Sequence, residues 1–94
     1  MANDSYKMQE ERVLLYEFPR PTPETLTKEY LEKLIVELKL QGNDDPEIAH
    51  RLERRATECF LVNIIESKYS VEEELVITQL LLDIGKSPFP RWFS

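Results

Sequence analysis

His50 and Cys59 are the chain's only imidazole and only thiol, so they are the first residues to test for chemistry. A Cys–His dyad needs the two groups within hydrogen-bond reach. Nine residues apart on one predicted helix, they are separated by roughly 13 Å of rise, which removes the dyad. No second histidine or cysteine completes a zinc-ligand spacing. The two glycines, Gly42 and Gly85, stand alone and form no phosphate-cradling loop. The run Glu72-Glu73-Glu74 could supply paired carboxylates, but it falls where a helix begins and is explained by the positive end of that helix's dipole. Acid–base chemistry also needs a shielded pocket, which three short helices scarcely build. The sequence therefore reads as a non-enzyme, with no cofactor and no metal expected.

Recognition is better represented. Arg51, Arg54 and Arg55 are three and four residues apart and share a helix face, with His50 beside them. Glu47, Glu53 and Glu58 are spaced to pair with them, so the expected state is a solvated, self-neutralised face. The segment Glu47–Thr57 resembles the opening of a helix-turn-helix: Ile48-Ala49 would pack the first helix and Arg55-Ala56-Thr57 would open the second. That eleven-residue resemblance implies a nucleic-acid-binding regulator using Arg51, Arg54 and Arg55, and it requires a turn near Glu53. Glu53, Arg54 and Arg55 are all good helix formers, so a continuous helix is favoured and the nucleic-acid reading is the alternative.

Asn63 sits inside the apolar run Cys59–Ile65. Buried without a partner, its amide would cost roughly 1–3 kcal/mol. It either fixes the register between helices or chains, or lies on a thin exposed strip. The triplet Phe-Pro-Arg occurs twice, at Phe18-Pro19-Arg20 and at Phe89-Pro90-Arg91. An aromatic next to proline is a rigid anchor that loses little entropy on docking. Trp92 and Phe93 also need cover, either from their own bundle, which is favoured, or from a partner. Phe18, Arg20, Arg51, Arg54, Arg55, Asn63, Phe89, Arg91, Trp92 and Phe93 are thus the candidate partner-binding residues.

The elements that must position these residues are helical. Pro19, Pro21 and Pro23 hold an extended connector after the short apolar run Val13–Phe18, which periodicity cannot assign to strand or helical turn. Thr22 as cap, Pro23 at the first position and Glu24 behind it predict a first helix over about 23–41, ended by Gly42 as a C′ residue. Asp45-Pro46-Glu47 repeats the pattern for a second helix over about 45–68. Ser70 and Glu73 form a capping box that opens a third over about 70–85, stopped by Gly85. The second and third helices carry more apolar surface than one shared seam can cover. Either the arms wrap over it or another chain does.

Composition is consistent with this. Ninety-four residues make one domain, divided into an extended arm (1–22), a helical core (23–86) and an aromatic tail (87–94). Hydrophobic content of 41% and charged content of 32% suit a globular chain. A net charge of −6 disfavours nucleic acid and anionic lipid. No apolar run approaches a membrane span. The lone cysteine and an opening without signal-peptide order lead to the expectation of a cytoplasmic protein. The sequence predicts an all-α three-helix bundle with apolar arms. As a function it predicts an acidic protein–protein interaction module (regulator, adaptor, inhibitor or assembly subunit), self-associating as a homodimer.

Overall fold

The computed structural model of the chain describes residues 14–87. The expectations for Phe89, Arg91, Trp92 and Phe93 lie outside the described residues. Within them the chain is all-helical, with three α-helices and no strand: α1 (Lys28–Gln41), α2 (Pro46–Ile65) and α3 (Val71–Gly85). An arm precedes α1 and begins with a single 3-10 turn, Leu15–Glu17, which resolves the ambiguity of the apolar run before the prolines. α1 packs most extensively on α3, α2 packs next on α3, and the arm's turn bridges α1 and α2.

The core takes the inward stripe of each helix. Leu31, Leu34, Ile35 and Leu38 come from α1, Leu52, Ala56 and Cys59 from α2, and Ile77 and Ile84 from α3. Leu15, Phe18 and Leu26 of the arm are buried in the same cluster. Phe18 meets Tyr30 edge-on, with ring centroids 5.5 Å apart. The backbone of Leu15 is fixed by its N–H donating to Gln41 Oε1 at 3.1 Å.

The first helix begins later than its sequence signals suggest. Thr22 does nucleate a turn, with Leu26 N–H donating to its carbonyl at 2.9 Å, but that turn does not propagate. Its side chain closes on Thr25, whose Oγ1 accepts from Thr22 N–H at 2.9 Å. Thr27 N–H bonds the Thr25 carbonyl at 2.9 Å, and Thr27 Oγ1 then caps α1 by accepting from Tyr30 N–H at 3.2 Å. In a continuous helix those two N–H groups would reach Pro23 and Leu26. The carbonyls of Pro23 and Leu26 are instead taken by side chains of the rest of the bundle.

The turns also depart from expectation. Gly42 is not a left-handed C′ residue: it is the C-cap, right-handed at φ −60°, ψ −36°. Neither glycine has positive φ, so Gly85 ends α3 without a left-handed turn. Asp45 occupies the cap position of α2 but makes no side-chain cap bond, leaving Pro46 to open the helix. α2 stops at Ile65 and not near 68, because Ser67 adopts φ 56°. Ser67 N–H then reaches the Ile64 carbonyl (3.1 Å) and Lys68 N–H the Asn63 carbonyl (2.9 Å), a Schellman closure. The capping box at Ser70 and Glu73 forms in both directions, as predicted.

Candidate functional site

Pro19 and Pro21 stand in an irregular stretch and Pro23 in the turn that Thr22 opens, and the carbonyls of all three are bonded by side chains of α1 and α2. Residues three and four apart on a helix share a face, so Arg55, Cys59 and Asn63 line one stripe of α2 at successive turns. Arg55 Nε donates to the Pro21 carbonyl at 3.2 Å, Cys59 Sγ lies 3.5 Å from the same oxygen, and Asn63 Nδ2 donates to the Pro23 carbonyl at 2.8 Å. Tyr30 Oη donates to the Pro19 carbonyl from α1.

Asn63 does more than hold Pro23. Its second amide hydrogen goes to Tyr69 Oη at 2.7 Å, and that hydroxyl donates onward to the Leu26 carbonyl at 3.0 Å. Asn63 is 2% exposed, so the exposed-strip expectation is overturned. It ties α2 to the arm and to the connector before α3. Burial pushes the Tyr69 phenol above its usual range, with the Asn63 hydrogen bond pulling the other way. Burial likewise raises the Cys59 thiol, against a downward pull from Arg55, and keeps it protonated. Tyr30 is raised further by the same cause.

Fastening the arm to α2 forms a trough of about 730 Å³ between them. Leu15, Phe18, Ile48 and Leu52 contribute apolar lining, and Arg20, Arg51 and Arg55 reach it from both walls. The structure thus brings together four of the sequence candidates: Phe18, Arg20, Arg51 and Arg55. Phe18 is not an exposed anchor, being 9% exposed and part of the core. Arg54 stays outside the trough and lies 3.9 Å from Glu58. Arg51 pairs with Glu47 at 3.3 Å and Arg55 stands 4.0 Å from Glu58, both between exposed side chains. Residues 47–57 lie within one unbroken helix, so no turn at Glu53 presents a second helix to a DNA groove. His50 faces Glu53 at 3.7 Å while Cys59 faces the arm, so the two do not converge.

The second surface is apolar. Val71, Leu75 and Leu82 fall along one stripe of α3 and are 77%, 66% and 57% exposed. Leu61 and Ile65, one turn apart at the end of α2, are 53% and 83% exposed. The described arm packs on α1 and along the Arg55–Cys59–Asn63 stripe of α2 and leaves these side chains uncovered. Among the described residues no helix is long and apolar enough to cross a membrane. The chain matches no protein-family model, no curated protein and no solved structure.

The arm clamp was missed at the sequence level, although it leaves a readable signal. Prolines at every second position set carbonyls that need donors; donors at i, i+4 and i+8 on α2 serve two of them and Tyr30 of α1 serves the third.

Proposed function

We propose that this chain is a small acidic interaction module that self-associates through the outward face of α3, with the end of α2 contributing. The observation that carries the reading is the exposed stripe Val71–Leu75–Leu82. Apolar side chains aligned on one helix face and left in water mark interaction surfaces, and covering each contributes roughly 1.5–3 kcal/mol. A second copy fits for a reason of charge. Two α3 helices packed antiparallel about a two-fold axis would set the acidic first turn, Glu72 and Glu74, against Lys86 at the other end of the mate. The helix dipoles would oppose favourably in the same arrangement.

Light scattering after size exclusion tests this across a dilution series around micromolar concentration. A dimer is expected, with Leu75→Lys and, independently, Leu82→Lys weakening association at least about tenfold while helical content is unchanged. A monomer at every concentration, or a dimer indifferent to both lysines, would overturn the reading.

A further inference from the structure

We infer that the trough between the arm and α2 docks an acidic peptide, a role separate from self-association through α3. The chain carries 18 acids against 12 lysines and arginines, yet three arginines and no carboxylate line this trough. Two further grooves among the described residues each contain glutamates in their lining. Local charge at this trough therefore runs opposite to the charge of the whole molecule.

The arginines are held and available. Arg55 is oriented by its bond to the Pro21 carbonyl; its side chain is 51% exposed, and its Nη1 stands 4.0 Å from Glu58, a contact between exposed side chains that exchanges readily. Arg20 is exposed and makes no ion pair among the described residues. The Arg51–Glu47 contact is between side chains 66% and 58% exposed, a kind of pair that contributes little and exchanges readily. Guanidinium groups take carboxylates in bidentate geometry. Arg51 and Arg55 stand one helical turn apart, roughly 6 Å, close to the roughly 6.5–7 Å between alternate side chains of an extended peptide. Arg20 faces them from the arm. Between the walls, half-buried Ile48 and Tyr16, which is 64% exposed, offer apolar surface for an adjacent aliphatic side chain. Carboxylates at alternate positions with aliphatic residues between them satisfy both features. A nucleic acid would match the arginines but meet a chain of net charge −6.

Fluorescence anisotropy on the full chain, with a labelled seven-residue peptide alternating Glu and Leu, tests the assignment. The controls are its Gln–Leu counterpart and an unlabelled oligothymidine competitor. Saturable binding of the Glu peptide is expected near 50 mM salt, weakened about tenfold near 500 mM. Arg20→Glu should reduce affinity about tenfold, and Arg51→Glu should do the same. Arg54→Glu, on the same helix outside the trough, should leave it within twofold. Arg20 lies on the exposed arm, so Arg20→Gln remains a usable readout if the helix variant unfolds. Leu75→Lys should bind the peptide normally, which separates this site from the α3 surface. Equal binding of the Gln peptide, an Arg54→Glu effect as large as that of Arg20→Glu, or displacement of the peptide by oligothymidine at lower concentration than by unlabelled Glu peptide would each overturn it.

Discussion

Asn63 is the residue on which three segments converge. One amide group serves the Pro23 carbonyl and the Tyr69 hydroxyl, and through that hydroxyl the Leu26 carbonyl. The sequence made Asn63 conspicuous, because an amide inside an apolar run must find a partner or pay a desolvation penalty. It did not reveal the partner, since a backbone carbonyl forty residues away leaves no mark in side-chain periodicity. Asn63→Ala removes both donors, leaving the part-buried Pro23 carbonyl without its donor and the Tyr69 hydroxyl with only its bond to Leu26, so a loss of roughly 1–3 kcal/mol is expected in urea unfolding. Asn63→Asp should cost more, because a carboxylate oxygen would then face the Pro23 carbonyl where a donor stood. Tyr69→Phe loses both bonds of its hydroxyl, from Asn63 and to the Leu26 carbonyl, but keeps the Asn63–Pro23 bond, and should cost roughly 0.5–1.5 kcal/mol. If Asn63→Asp were as stable as the parent chain, the amide would not be holding the arm.

At the scale of elements, the sequence was legible where a boundary depends on neighbours in the chain and illegible where distant groups decide it. The Ser70–Glu73 box is local and forms as read. The start of α1 was misplaced because Thr22 and Thr27 both carry cap chemistry, and the choice between them is made by α2 and Tyr69 claiming the carbonyls of Pro23 and Leu26. The end of α2 was misplaced because the left-handed turn falls on Ser67, a residue type that rarely adopts it, while both glycines remain right-handed or extended. Ser67 consequently carries backbone strain that a glycine would not. Ser67→Gly should stabilise the chain by about 1 kcal/mol, whereas Ser70→Ala, three residues on, should cost about 1 kcal/mol by losing the cap. Thermal melts of the two variants should shift in opposite directions. A destabilised Ser67→Gly would mean that the Schellman closure is not what ends α2.

For the molecule as a whole, the arm is structural and its outer wall is a surface. The three-helix architecture was readable from periodicity, and so was the surplus of apolar surface on α2 and α3. The trough was not, because it exists only once an irregular segment lies against a helix. Leu15 marks the difference between an appendage and a wall. It lies outside every α-helix, is 1% exposed, and packs in the same cluster as Leu52 and Leu38. Truncation at a fully buried site loses both transfer energy and cavity contacts, so Leu15→Ala should cost about 2–5 kcal/mol of global stability. Leu40→Ala, at a site 55% exposed on α1, should change it by less than about 0.5 kcal/mol. The comparison is informative because both substitutions delete the same atoms, and only the arm's attachment distinguishes them. Should Leu15→Ala prove as mild as Leu40→Ala, the arm would detach without unfolding the bundle. The trough would then lose one of its walls, and the acidic-peptide site would have to form on the face of α2 alone.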